Sequence, residues 1–242
     1  MNKYTFNWNI KPASPAEYAA VIPPFDLLVS GTKLALKSAA DAVDERRLYE
    51  HASQVAEGLA GSLSCELGER FEVAYQGRHV LRDTGQQSVS AFFTIVVNPA
   101  PVIATDAEVR EASERRERER HAAQQRILSR TRRAAFDLNL RGMLGRWSTY
   151  LADPEGRLHP LYDVLQIVER IYGGRREAAS ALNMSYTDLS DLGRISNDPT
   201  VLNGRHPGRS PGPHRIATEV EVDACERVVK AIIEKYESRI VR

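Results

Sequence analysis

Side chains that could make or break covalent bonds are sparse in this 242-residue chain, and none falls at a catalytic spacing. It has no G-x-S-x-G elbow, no phosphate-cradling Walker loop and no dinucleotide fingerprint. His159 and His206 stand alone in sequence, and lone histidines are usually structural. Cys65 and Cys225 sit far apart in segments of helical pattern, and each reads as a small buried hydrophobe rather than half of a disulfide. No Cys/His cluster has zinc-ligand spacing, and His206 and His214 have no Cys or carboxylate close by to complete a ligand set. The chain reads as non-catalytic, with no cofactor and no metal.

What the polar side chains can do is donate hydrogen bonds to anions. Arg175, Arg176, Arg194, Arg205 and Arg209 carry planar forks that match the oxygens of a phosphate. Tyr186, Thr187 and Ser190 offer hydroxyls able to bond the edge of a nucleobase, and His206 stands within the same basic stretch as Arg205 and Arg209. These groups fall in two clusters, Arg175–Arg194 and Asn203–Arg215.

Two elements must position the first cluster. The segment RREAASALNMSYTDLSDLGR, Arg175 to Arg194, reads as two short helices joined by a tight turn. Ala179, beside Ala178, is small enough to let a second helix cross close by, and Leu182 closes the first helix. Asn183 follows, a residue whose short amide tolerates left-handed backbone. Met184 tucks under the turn, Ser185 is placed to cap the second helix, and Leu189 and Leu192 anchor that helix. On these residues the segment resembles the helix-turn-helix superfamily of DNA-binding modules, with Phe136–Arg194 as a looser helical scaffold before it. The resemblance implies that Ser185, Tyr186, Thr187, Ser190, Asp191 and Arg194 face a major groove. Phosphate contacts would then come from Arg175, Arg176, Arg194, Arg205 and Arg209, and base contacts from Tyr186, Thr187 and Ser190.

Charge argues the other way. Residues 158–242 carry twelve basic and twelve acidic side chains, whereas a DNA-binding domain draws most of its non-specific affinity from excess cations. Asp188 is explained by a Ser185-x-x-Asp188 capping box, but Asp191 is a carboxylate on the face that would meet phosphates. A second reading therefore stands beside the first: a protein-interaction or assembly subunit in which the motif is a structural joint. DNA, a protein partner and a second copy of the chain are the candidate partners. The membrane is not, because the longest apolar run, Ala91 to Val97, is far too short to span a bilayer. The first residues lack the apolar core of a signal peptide, and with the unpaired cysteines this suggests a reducing, cytoplasmic setting of bacterial type.

The second cluster lies in NGRHPGRSPGPHR, Asn203–Arg215, where three Gly and three Pro forbid regular structure. It reads as a loop between helices, with a phosphate-contacting arm as the functional alternative.

The rest of the chain divides into an α+β N-terminal domain (1–100), a charged helical connector (101–135) and an all-α domain (136–242). Tyr4, Phe6, Trp8 and Ile10 alternate as in a strand. A helical turn is expected around Ala16 to Ala20, a hairpin over Phe25–Val29 and Lys33–Lys37, and a second hairpin over Phe71–Tyr75 and His79–Arg82. Between the hairpins Leu48, Ala52, Val55, Leu59 and Leu63 mark one amphipathic helix stopped by Gly68, and Val89–Val97 reads as a buried strand. Asn98-Pro99-Ala100-Pro101 marks the boundary. Beyond it Asp106–Gln125 is nearly all charged or small and predicts a solvated helix. Arg126–Arg146 holds six arginines against Asp137 alone, suited either to phosphate or to pairing within the protein. Phe136, Leu140, Met143, Leu144, Trp147 and Leu151 predict a helix ended by Asp153-Pro154-Glu155-Gly156. A further helix runs from His159 to Gly173-Gly174, and Thr218-x-x-Glu221 opens the last, whose wide apolar stripe could also carry a dimer seam.

Overall fold

The computed structural model describes residues 2–14, 17–38, 44–82, 106–153, 158–206 and 213–240. Its N-terminal part is an antiparallel sheet with a helix, and helices make up the remainder, an α+β domain followed by an all-α one. Alternation turns Tyr4, Phe6, Trp8 and Ile10 to one buried face of β1 (Asn2–Lys11). With β2 (Tyr18–Ile22), β3 (Phe25–Ser30), β4 (Lys33–Ser38) and β5 (Glu72–Arg82) it forms a sheet in the order β2-β3-β4-β1-β5. The expected β3–β4 hairpin is present and turns at Gly31, φ 54°.

Two local expectations are corrected. Tyr18–Ala20 is not a helical turn but the start of β2, paired with β3 from Tyr18↔Val29 onward. Burial of Tyr18 and Ile22 on the core face outweighs the helical preference of the alanines between them. Glu72–Arg82 is likewise one strand rather than a hairpin, because the long β1 pairs with it from Asn2↔Arg82 to Lys11↔Glu72. The apparent turn at Gln76-Gly77 is a bulge: the register slips between Asn7↔Gly77 and Trp8↔Tyr75, and Gly77 takes φ 134°. The Val89–Val97 strand and the Asn98–Pro101 boundary lie outside the described residues.

The helix α1 (Glu45–Leu67) begins at Asp44, whose carboxylate accepts from Arg47 N–H at 3.1 Å, and ends at left-handed Gly68. Ala52, Val55, Leu59 and Leu63 pack on the sheet, as their spacing predicts. The opposite side is buried too. A Cβ on Gly61 would stand 2.7 Å from Leu144 Cβ, and one on Gly58 would stand 3.2 Å from Ala134 Cβ. These glycines let the following helices lie against the α1 backbone.

Next comes α2 (Asp106–Phe136). Its residues 114–122 are exposed, but from Ile127 onward it enters the core, where Arg130, Thr131, Ala134 and Ala135 are all buried. Ala134 belongs to the apolar core of the helical domain and Ala135 to that of the sheet, so α2 is where the cores meet. Asp137 stops α2 and caps α3 (Leu138–Leu151), accepting from Leu140 N–H at 2.7 Å. That cap restarts the helical phase at Leu140, so Phe136, expected at the head of the buried stripe, is 66% exposed.

The helical domain is completed by α4 (His159–Tyr172), α5 (Arg175–Leu182), α6 (Tyr186–Asn197) and α7 (Glu219–Ile240). Its core gathers Trp147, Leu161, Val164, Leu165 and Val168 with the inner faces of α5, α6 and α7. The capping box at α7 forms in both directions, Thr218 N–H to Glu221 at 2.9 Å and Glu221 N–H to Thr218 Oγ1 at 3.3 Å. The α7 stripe of Cys225, Val229, Ile232, Ile233 and Tyr236 is buried within the chain itself.

Candidate binding face around the α5–α6 turn

Local chemistry builds the α5–α6 turn. Gly173, at φ 88°, ends α4, and α5 starts two residues on. Asn183 adopts φ 50°, ψ 55°, the only positive φ outside glycine among the described residues, and Met184 N–H bonds back to Ala179 O at 2.9 Å. Ser185 takes extended backbone and its Oγ accepts from Asp188 N–H at 3.3 Å, opening α6. Ala178, Ala179 and Leu182 from α5 meet Leu189, Leu192 and Ile195 from α6 in the helical core. The two helices therefore cross over small residues around a left-handed turn.

The polar residues of this unit distribute themselves unequally. Arg175, 27% exposed at its side chain, points inward: its Nε donates to Glu169 Oε1 of α4 at 2.6 Å. Its guanidinium lies against Gly193 of α6, where a Cβ would come within 2.6 Å of Nη1. It is a strut across three helices, and the missing side chain at position 193 is what admits it. Ser190 also turns inward, with Oγ buried and without a hydrogen-bond partner among the described residues.

Arg176, Tyr186, Thr187 and Arg194 remain on the outside. The Arg176 guanidinium lies 5.6 Å from the Tyr186 ring centroid, and Arg194 donates to Asp191 at 3.3 Å. Asp191, unexplained by the sequence, is thus the ion-pair partner of the nearest arginine on its own helix. Across α5 and α6 three arginines face three carboxylates, Glu177, Asp188 and Asp191, so the unit is electrically neutral.

The segment after α6 is tied down at both ends. Arg205 N–H donates to Ser196 O at 2.7 Å, while its guanidinium stacks 4.9 Å above the Tyr162 ring. Buried Asn203 receives Leu158 N–H on its carbonyl at 2.7 Å and Ala217 N–H on its side chain at 2.9 Å. Arg215 forms a two-pronged pair with Glu221, at 2.6 and 2.8 Å, which holds the Glu221 carboxyl down at about 2. His206 is half-buried, and Arg209 lies outside the described residues. Sequence reasoning named the side chains of this region but not their partners, because Glu169, Tyr162 and Glu221 come from other elements.

Among the described residues no group of three or more His, Cys, Asp or Glu is placed to hold a metal ion, and no helix is long and apolar enough to cross a membrane. Both cysteines are free thiols, and burial pushes Cys225 up to about 11. No family model, no curated protein and no solved structure matches the chain.

Proposed function

We propose that the chain is a non-catalytic protein-interaction subunit, whose docking face is α6 together with the segment that joins it to α7. The observation that carries this is where the apolar surface lies. Among the described residues beyond Leu138, the large apolar side chains left exposed are Tyr186 (48%), Leu202 (48%), Ile216 (67%) and Val220 (74%). All four stand on α6, on the joining segment or on the first turn of α7. Leu202 and Ile216 are held near each other through Leu202 N–H to Arg215 O at 2.8 Å. Leu202, Ile216 and Val220, exposed beside the Arg215–Glu221 pair, have the composition of a protein-binding surface, and Tyr186 adds an exposed aromatic ring at the other end of α6. The neutral α5–α6 unit and the pairing of Arg175, Arg194 and Arg215 fit a protein partner better than a polyphosphate.

DNA binding is the second reading. The left-handed Asn183, the Ser185 cap and the exposed Arg176–Tyr186 pair at the start of α6 favour it. One pair of experiments separates the two. Affinity purification from the source cells is run with the natural chain and with an Ile216→Asp/Val220→Asp double variant of unchanged thermal stability. A gel shift against mixed genomic fragments at low salt is run with both. A protein captured by the natural chain and lost by the variant, with no DNA complex, is the expected outcome. A DNA complex that Arg176→Ala/Arg194→Ala weakens for all fragments alike, with a shallower salt dependence, would replace this proposal by the second reading.

A further inference from the structure

Among the described residues, the four most exposed large apolar side chains are Val220, Leu138, Ile216 and Phe136, and they divide between the two ends of α7. Ile216 and Val220 stand at its start, on the face assigned above. At its far end Ile240 and Phe136, with Pro23, Arg132, Arg133 and Asp137, wall a hollow of about 400 Å³, and Leu138 follows Phe136 by two residues.

The surface of the hollow is mostly apolar although three charged residues line it, because their polar heads are engaged within the fold. Arg133 Nη1 donates to Glu237 Oε1 at 2.6 Å, and Arg132 Nε donates to Val21 O at 3.2 Å. Asp137 accepts from Leu140 N–H at 2.7 Å and from the Tyr236 hydroxyl at 3.2 Å, at the positive end of α3. The charges left over differ in sign at the two ends. Arg132 is exposed and has no carboxylate partner among the described residues. Glu219 and Asp223, on either side of Val220, are exposed and have no cationic partner among them, while Arg215 and Glu221 cancel each other.

We propose that the chain assembles head to tail with further copies of itself. The apolar patch of Ile216 and Val220 on one copy seats in the hollow walled by Phe136 and Ile240 on the next, with Glu219 and Asp223 brought toward Arg132. The proposal rests on the reading of the joining segment as a docking face and names its partner, a second copy. The 22 residues of α7 span about 33 Å at 1.5 Å per residue, so patch and hollow cannot meet within one copy. An apolar patch that fits a pocket elsewhere on the same molecule makes a heterologous contact, which yields a ring where the rotation closes and an open chain where it does not.

Sedimentation equilibrium of the full chain, from low micromolar to near-millimolar concentration, tests this with Val220→Asp to block the patch and Phe136→Asp to block the hollow. Both positions are exposed, and Ile216→Asp or Leu138→Asp replaces either variant if it melts below the natural chain. The natural chain should pass the mass of a dimer at the top of the range, and each variant alone should remain a monomer. An equimolar mixture of the two variants should stop at a dimer, because between them they hold one intact patch and one intact hollow. A natural chain that stays monomeric overturns the proposal, and so does a dimer that persists in either variant, which marks a symmetric contact. The docking face is judged apart from this. If the natural chain is monomeric alone yet captures a different protein that Ile216→Asp/Val220→Asp loses, that face stands and self-assembly falls.

Discussion

Gly61 is the position where the packing of the two domains can be tested most directly. It lies on α1, and an added methyl would stand 2.7 Å from Leu144 Cβ, with Leu144 C at 3.5 Å and Cα at 3.7 Å. Ordinary carbon–carbon contact is about 3.5–4.0 Å. The obstructing atoms belong to the α3 backbone or sit directly on it, so no side-chain rotation relieves the overlap, and α1 and α3 must separate by roughly 1 Å. Overpacking of this rigid kind costs about 3 kcal/mol, the upper part of its usual range. Replacing a mid-helix glycine by alanine returns about 1 kcal/mol of helix propensity. The net expectation for Gly61→Ala is a loss of about 2 kcal/mol, or a Tm lowered by about 4–8 °C for a chain of this size. Gly145 supplies the control: it lies on α3, is exposed, and a methyl there meets nothing within 4 Å. Gly145→Ala should stabilise by about 0.5–1 kcal/mol through propensity alone. Urea denaturation of both variants, followed by circular dichroism, reads the difference. If Gly61→Ala is as stabilising as Gly145→Ala, α1 is not pressed against α3, and the joining of the two cores described above is wrong.

Two further outcomes follow from single backbone and side-chain placements. Asn183→Ala should cost about 1 kcal/mol, the penalty for forcing a Cβ-bearing residue without a helpful amide into left-handed backbone, whereas Asn183→Gly should be neutral or stabilising; urea midpoints distinguish them. His51 packs edge-on between Phe25 and Phe136, with Nε2 buried and unbonded among the described residues; burial and the Arg141 charge lower its pKa below 6.5. The unfolded chain therefore takes up a proton that the native state resists, so this contribution is complete above pH 6.5 and is lost as pH falls through the native value. A His51→Phe variant should lose less of its stability than the natural chain between about pH 7.5 and about pH 5.5, and equal losses would remove His51 from the account.

The parts of the fold that were legible in the sequence are those set by short-range chemistry. The register of α1, the stop at Gly68, the left-handed Asn183, the Ser185 cap and the Thr218–Glu221 box each depend on residues within one or two turns. Where a distant partner decides, local pattern misled. Gln76-Gly77 resembles a hairpin turn, and only the length of β1 on the other side of α1 makes it a bulge. Phe136 sits in phase with the stripe of the next helix until Asp137 interrupts the helix and resets that phase. The same limit governs the candidate site. The helix-turn-helix pattern gives the spacing of α5 and α6, but the direction of Arg175 depends on Glu169 and on the missing Cβ of Gly193. Ser190 is counted as outward on a helical wheel, yet its Oγ is buried.

The arginines of Arg126–Arg146 show why charge density along a sequence is a poor guide to a polyanion site. Six arginines against one aspartate look like a phosphate-binding stretch, and each of the six has a partner inside the protein. Arg126 holds Glu66 of α1, Arg130 and Arg133 hold Glu237 of α7, and Arg146 holds Asp163 of α4. Arg132 donates to Val21 O at the sheet edge, and Arg141 donates to Ala134 O and Ala135 O at the end of α2. Arginine rather than lysine is required for this work, since one planar fork can bond a carboxylate or carbonyl while its stem covers apolar surface. Pairing also explains how a helix so highly charged can run through the junction of two apolar cores: each cation that enters brings its own acceptor from a neighbouring element. Arg130 departs from this pattern in one respect. Its Nε holds Glu237 of α7 at 2.8 Å, while its buried Nη1, without a hydrogen-bond partner among the described residues, lies 3.8 Å from Glu66 Oε2 of α1.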